Sequence, residues 1–135
     1  MTQRIGEPLS EWTHRASSIG SKRIYDRAEA SDGRRILATQ YWPRGIARES
    51  VDEYVRNLAP SRDLLHAYRN GDLSWPEYSR QYLEQMQGEG QQAEIHRLAK
   101  LARSANVTVL CVCPDESICH RSLLRELIAA FDGEA

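Results

Sequence analysis

Long apolar runs are absent from this sequence of 135 residues. No stretch approaches the about 20 consecutive apolar residues that a membrane-spanning helix needs. The first 18 residues contain Arg4, Glu7, Glu11 and Arg15, so they lack the apolar segment of a secretory signal. We therefore expect a cytoplasmic protein with no membrane partner.

Cysteines are few, odd in number and crowded together. The three of them, Cys111, Cys113 and Cys119, lie within nine consecutive positions. An odd group of this kind in a chain expected to be cytoplasmic predicts reduced thiols rather than a disulfide scaffold.

A strong excess of one charge sign is also missing. The formal net charge is −1 and the sequence pI is about 6.4, which argues against a general nucleic-acid-binding surface. The charge is uneven, however. Residues 1–50 carry nine basic and six acidic residues, whereas residues 51–135 carry nine and thirteen. The basic half forms either an anion-binding patch or an ordinary solvated surface, and nucleic acid stays open as a partner.

The order of the hydrophobic patterns predicts a single α/β domain over residues 19–135, preceded by a loose arm at 1–18. Short strands are predicted at 22–25, 35–41 and 107–113. The last of these is apolar on both alternating sets, which is typical of a buried parallel strand. Four or five helices are predicted between residues 50 and 131. These patterns favour a small, mostly parallel sheet flanked by helices.

Serine caps and apolar stripes predict where the helices begin and which residues they bury. Ser50 and Ser74 each precede a glutamate at capping-box spacing, and Ser61 is predicted to cap a short helix. Further helices are predicted at 91–104 and along a stripe that ends at Phe131. The predicted core residues of the domain are Ile36, Leu37, Leu98, Val109, Leu110, Leu124, Leu127 and Ile128.

The turn at 119–122 carries the residue types best suited to chemistry. It precedes the last helix, whose free N–H groups and dipole favour anions. Cys119 is a candidate nucleophile with a lowered pKa, and His120 is a candidate acid or base. Arg121 could hold a phosphate or carboxylate through two hydrogen bonds, with Ser122 beside it. In the ordinary alternative, these side chains pack, cap the helix or pair with surface acids.

Metal binding is a competing use of the same cysteines. Cys111 and Cys113 share one face of the predicted strand, and Cys119 with His120 would complete four ligands. However, Cys-x-Cys-x5-Cys-His is not a standard zinc spacing, and residues inside an apolar strand are ordinarily part of the core. The sequence therefore leads us to assign no metal and no cofactor.

Three segments resemble the family called domain of unknown function 488. They are Tyr-Trp-Pro-Arg-Gly at 41–45, Leu-Ala-Pro-Ser at 58–61 and Cys-His-Arg-Ser at 119–122, and the resemblance runs from about residue 19 to residue 131. The first segment is typical of one branch and the third of another. The chain has Thr39-Gln40 and Cys113 where relatives commonly carry Asp-Arg and Glu. The resemblance implies a fold and a site, but its name implies no particular reaction.

The two motif segments are predicted to meet at one edge of the sheet. Each follows a predicted strand, and loops after parallel neighbouring strands leave at the carboxyl edge, where open α/β sheets bind ligands. We therefore predict a site for a small anionic, phosphorylated or nucleotide-like ligand. Tyr41 and Trp42 would form its walls, and Arg44 and Arg121 would bind the anion.

The sequence leaves three kinds of function open for this site. The first is an enzyme that uses Cys119 and His120, and the second is a non-catalytic binding module for a phosphorylated ligand or a nucleic-acid end. The third is an interaction protein in which the turn is only packed. In the first two, replacing Arg44 or Arg121 with alanine should weaken anion binding with little loss of stability. The sequence indicates neither the ligand nor the oligomeric state.

Overall fold

A computed structural model describes the backbone of residues 19–134 and the side chains of residues 19–131, so the predicted arm at 1–18 lies outside the described residues. Within that range the chain forms four strands and four α-helices, which confirms the predicted α/β class. The strands are β1 (Ile19–Arg23), β2 (Arg34–Leu37), β3 (Glu53–Tyr54) and β4 (Val107–Cys111). The helices are α1 (Arg62–Arg69), α2 (Trp75–Gln85), α3 (Glu89–Leu101) and α4 (His120–Glu134).

The four strands form one parallel sheet in the order β1-β4-β2-β3. β4 is central and buried along its whole length, as its apolar sequence predicts. Val109 lies opposite Ser21 of β1 on one side and Ile36 of β2 on the other. Because β2 and β4 are parallel neighbours, the loops that follow them leave the same edge of the sheet.

The two faces of the sheet are covered differently. Val107 and Val109 belong to the main core, which includes residues of all four helices. Leu37 and Leu110 point to the other face, where Trp42 and Ile46 from the loop after β2 pack against them. This loop therefore serves as the cover of one face as well as the border of the carboxyl edge.

The predicted core is largely confirmed. Leu127 is half-buried. The other predicted core residues are all 0% exposed, namely Ile36, Leu37, Leu98, Val109, Leu110, Leu124 and Ile128. None of the helices in the described part of the chain combines the length and apolar character required to span a bilayer.

Truncation of Leu124 should measure how much the contact between α4 and the sheet stabilises the fold. Leu124 is 0% exposed, so Leu124→Ala should lower the free energy of unfolding by about 2–5 kcal/mol through lost burial and a residual cavity. Urea unfolding would measure it. The matched control is Leu127→Ala on the same helix, which should cost less because Leu127 is only half-buried. A loss below about 1 kcal/mol at Leu124 would contradict its burial.

The strand bounds differ from the predicted ones at their ends. The first strand lies at Ile19–Arg23 rather than 22–25, because its pairing with β4 begins at Ile19 opposite Val107. The predicted strands at 35–41 and 107–113 end earlier, at Leu37 and Cys111. Irregular backbone thus begins before the motif segments and leaves room for a cavity there.

The prediction of a helix that starts at Ser50 is wrong. Ser50 ends a short 3-10 helix, and the following segment forms β3 beside β2. Backbone pairing explains this outcome, because the N–H of Asp52 donates to the carbonyl of Arg35 at 2.9 Å. The Glu53 carboxylate, which the capping box required, instead pairs with arginines from β2 and α3.

The other two serine caps are confirmed. The Ser61 hydroxyl accepts from the Leu64 N–H at 3.2 Å, and the Ser74 hydroxyl accepts from the Glu77 N–H at 3.3 Å. Both hydroxyls therefore satisfy an N–H group in the first turn of their helices. The helix predicted at 91–104 forms as α3, two residues earlier at its start.

Candidate functional site

A cavity of about 260 Å³ opens at the carboxyl edge of the sheet, where the two motif segments approach each other. It brings together residues from four parts of the chain, as expected for a site at the ends of parallel strands. The lining residues are Tyr25, Thr39, Gln40, Tyr41, Trp42, Pro43, Arg44, Pro60, Leu65, Arg69, Cys111, Val112, Cys113 and His120.

Trp42 anchors the loop after β2. Its indole N–H donates to the carbonyl of Ile46 at 2.9 Å, and its ring packs edge-on against Tyr54 with centroids 5.4 Å apart. The Arg48 guanidinium lies 5.5 Å from the centre of the indole ring. These contacts fix the ring on the sheet, so Trp42 shapes the cavity from a held position rather than as a free stacking group.

The polar residues before Trp42 tie the loop to the neighbouring chain. The Thr39 hydroxyl donates to the carbonyl of Tyr41 at 2.7 Å, and the Gln40 amide donates to the carbonyl of Pro60 at 3.0 Å. Arg56 donates in turn to the carbonyl of Gln40 at 2.8 Å. The Leu-Ala-Pro-Ser segment thus forms part of the frame of the cavity.

Two tyrosines supply accessible aromatic surface at the cavity. Tyr25 is 45% exposed and donates its hydroxyl to the backbone carbonyl of Arg44 at 2.9 Å. Tyr41 is 41% exposed, and its hydroxyl oxygen lies 3.2 Å from Nε2 of His66. Each ring is held by its hydroxyl, which leaves ring surface available to a ligand.

Arg44 and Arg69 give the cavity its positive charge. Arg44 comes from the loop after β2 and Arg69 from the last turn of α1, and both are exposed. In the part of the chain that the structure describes, neither guanidinium has a hydrogen-bonded or ion-pair partner. Unpaired guanidinium groups that line a concave surface are suited to bind carboxylate or phosphate.

The three cysteines and His120 form one cluster, and all of its members except Cys119 line the cavity. The sulfur of Cys111 is 3.3 Å from that of Cys119 and 3.7 Å from that of Cys113. Nδ1 of His120 is 3.8 Å from the Cys111 sulfur and 3.9 Å from the Cys119 sulfur. Cys111, Cys119 and His120 are buried, whereas Cys113 is half-buried.

The position of His120 defines which of its ring nitrogens carries the proton. Nε2 lies 2.6 Å from the carbonyl oxygen of Ala38, which can only accept, so Nε2 is the donor. Burial lowers the pKa of His120 and keeps the ring neutral. Nδ1 therefore presents a lone pair to the sulfurs of Cys111 and Cys119.

The pKa values of the buried thiols Cys111 and Cys119 shift in opposite directions. The pKa of Cys111 is lowered, because its sulfur shares hydrogen bonds with the sulfurs of Cys113 and Cys119. The same contacts and burial raise the pKa of Cys119. The expectation of a lowered pKa at Cys119 is therefore wrong: its contact with Cys111 outweighs the helix terminus.

Arg121 and Ser122 lie behind the wall rather than in the cavity. Arg121 is 4% exposed and donates to the carbonyl of Cys113 at 2.7 Å and to the Ser21 hydroxyl at 3.3 Å. Its guanidinium also lies 3.7 Å from the Cys119 sulfur. The Ser122 hydroxyl donates to the carbonyl of Cys119 at 2.8 Å. These contacts hold the turn in place from inside the protein.

The structure thus divides the predicted site residues into two groups. Tyr41, Trp42, Arg44 and His120 line the cavity, whereas Cys119, Arg121 and Ser122 support it. No motif in the sequence indicates Arg69, and the sequence suggests Cys111 and Cys113 only as alternative metal ligands, not as residues of the anion site. The spacing of the two strand cysteines was a usable signal, because residues two apart at the end of β4 share a face.

Comparison with known proteins identifies the class to which this chain belongs. The family model described as the active DUF488-N3 subclade matches residues 19–131. The chain therefore belongs to this family of proteins with domain of unknown function 488, as its motifs indicate.

Three curated relatives cover nearly the same part of the chain. Uncharacterized protein YeaO of Escherichia coli (strain K12) is 32% identical over 116 residues, which cover 84% of this chain and 99% of that protein. Uncharacterized proteins Mb3100c of Mycobacterium bovis and Rv3073c of Mycobacterium tuberculosis (strain H37Rv) are each 26% identical over 116 residues, covering 84% of this chain and 96% of theirs. No solved structure matched the chain.

Proposed function

We propose that the cavity binds a small anionic ligand whose charge is held by Arg44 and Arg69. One observation carries this proposal. Two exposed guanidinium groups without protein partners among the described residues line the same cavity as His120. A bound anion would supply the charge-assisted hydrogen bonds that these guanidinium groups lack.

The dimensions of the cavity favour a small molecule. At about 260 Å³ it is slightly smaller than the roughly 300–1,000 Å³ of typical ligand pockets. A small phosphorylated or carboxylated compound fits this volume better than a nucleic-acid strand, and the near-neutral net charge of the chain supports the same choice. Tyr25 and Tyr41 would contact the uncharged part of the ligand.

An enzyme acting at this cavity is the second candidate function. It is favoured by the composition of the cavity wall, because Cys111, Cys113 and His120 line the same cavity as the two arginines. The matching family model, described as an active subclade, supports the same reading. Cys119 is 1% exposed and does not line the cavity, so a pocket thiol that touches substrate would be Cys113 rather than Cys119.

Titration with inorganic phosphate tests the anion-binding proposal. Calorimetry on the metal-free protein should show saturable binding, and Arg44→Ala and Arg69→Ala should each weaken it about ten- to hundred-fold. This is the effect of losing one charge-assisted hydrogen bond of roughly 1.5–3 kcal/mol. Both side chains are exposed, so the melting temperature of the ligand-free variants should change little.

The matched control is Arg80→Ala, which removes the same charge from the exposed face of α2. Arg80 pairs there with Glu77 and Glu84 and does not line the cavity. It should leave phosphate affinity unchanged. Equal weakening by all three substitutions would indicate a general charge effect, and unchanged affinity in the Arg44 and Arg69 variants would contradict the proposed site.

A further inference from the structure

The cysteine and histidine cluster at the wall of the cavity has the composition and the geometry of a metal site. We propose that Cys111, Cys119 and His120 bind a zinc ion whose fourth coordination position faces the cavity beside Cys113. The spacing in sequence argues against zinc, but the fold brings the end of β4 and the start of α4 together in a way that spacing alone does not show.

The distances between the donor atoms agree with tetrahedral coordination. Zinc–sulfur and zinc–nitrogen bonds of about 2.3 and 2.0–2.1 Å place tetrahedral ligand atoms roughly 3.5–3.8 Å apart. The sulfurs of Cys111 and Cys119 are 3.3 Å apart, and Nδ1 of His120 is 3.8 and 3.9 Å from them. An ion placed among these three atoms would need only small side-chain movements.

His120 is already oriented as a metal ligand. Its Nε2–H donates to the carbonyl of Ala38 at 2.6 Å, which leaves the lone pair of Nδ1 directed at the two sulfurs. Metal-bound histidines ordinarily donate their second ring nitrogen to a carbonyl or carboxylate in this way. A histidine that only packed in the core would not need this orientation toward two thiols.

The charges around the cluster suit zinc bound by thiolates. Zinc with two thiolates and a neutral histidine is uncharged. The Arg121 guanidinium, 3.7 Å from the Cys119 sulfur and buried with it, would stabilise the Cys119 thiolate. Sulfur and imidazole ligands favour zinc over magnesium or calcium, which prefer oxygen.

The fourth coordination position of the proposed zinc ion faces the cavity in which the anion would bind. Cys111 and His120 line the cavity that also contains Arg44 and Arg69, and the Cys113 sulfur lies 3.7 Å from that of Cys111. Three protein ligands with a fourth position open to a cavity are the arrangement of catalytic zinc sites. This last point rests on the proposed anion-binding function, whereas the three ligands stand on the cluster alone.

Cobalt(II), a spectroscopic substitute for zinc, tests the proposal. Reduced, metal-free protein should bind one equivalent per chain with the near-ultraviolet charge-transfer band of thiolate–cobalt bonds, and zinc should displace it. Cys119→Ser and His120→Asn should each weaken binding at least ten-fold. His96→Asn, which changes an exposed histidine on α3 that packs against Phe131, is the matched control and should bind like the wild type.

A second measurement on the wild type covers the case in which a variant fails to fold. Zinc should slow alkylation of Cys111 and Cys119 by iodoacetamide at least ten-fold, as mapped by mass spectrometry of the two cysteines. Absence of the charge-transfer band, wild-type affinity in a folded His120→Asn variant, or alkylation of Cys111 and Cys119 that zinc does not slow would each overturn the site.

The phosphate titration separates this proposal from the preceding one. Phosphate binding by metal-free protein that shows no cobalt band would refute the zinc site and leave the anion site standing. A cobalt band in a protein that binds no phosphate, with or without zinc, would refute the anion site and leave the zinc ligands standing.

Discussion

Gly33→Ala is expected to lower the free energy of unfolding by about 3 kcal/mol or more, as measured by urea unfolding. Gly33 has φ 65° and ψ −132°, a conformation that side chains disfavour. A Cβ there would also lie 2.1 Å from the carbonyl oxygen of Asn106. Strain and collision would act together at this position.

Asn106 has little freedom to move away from that collision. Its carbonyl accepts from the Arg34 N–H at 2.9 Å, and its side-chain amide donates to the carbonyl of Ser31 at 2.9 Å. It directly precedes β4, the central strand. Moving it would therefore disturb the start of the pairing between β2 and β4.

The matched control for this prediction is Gly71→Ala. Gly71 has φ 84°, but a Cβ at that position would have no neighbouring atom within 4 Å. The control thus carries backbone strain without the collision and should cost about 1–2 kcal/mol. Equal losses at Gly33 and Gly71 would show that contact with Asn106 contributes nothing.

The parts of the fold that sequence predicts well are those determined by local patterns. β4 is apolar on both of its faces, and the caps at Ser61 and Ser74 act within one helical turn, so the chain within these segments is sufficient to predict them. The parallel arrangement of β2 and β4 then follows from the helices between them.

β3 could not be predicted in the same way. Its two residues, Glu53 and Tyr54, form a strand because β2 lies beside them and exchanges hydrogen bonds with their neighbours. The same segment also fits a capping box that begins at Ser50. Pairing with β2 decides between the two, and this contact is not visible in the local pattern.

In the candidate site, too, some features follow from local sequence patterns and others depend on contacts between distant segments. The loop of Arg44 and the turn of His120 lie at the same edge of the sheet because they follow the parallel strands β2 and β4. Arg69 joins them only because α1 packs beside the cavity, which no motif indicates. The direction of Arg121 depends on where Ser21 and the Cys113 carbonyl lie, since these groups draw its side chain inward.

Arg121→Met is expected to lower the free energy of unfolding by about 2–4 kcal/mol, although the sequence predicts Arg121 to be a ligand for the anion. Methionine retains much of the apolar stem but loses the guanidinium. The carbonyl of Cys113 and the hydroxyl of Ser21 would then lose a charged donor in a buried place. Losing hydrogen bonds to a charged group costs roughly 1.5–3 kcal/mol, and the Cys119 sulfur also loses its contact with the guanidinium.

Arg125→Met is the matched control for this prediction, because it makes the same change one turn later on α4. Arg125 is half-buried and donates to the carbonyl of Ile19 at 3.1 Å, so its loss should cost only about 1 kcal/mol. Full stability of the Arg121 variant together with weakened phosphate binding would contradict this supporting role and make Arg121 a ligand-binding residue, as the sequence suggests.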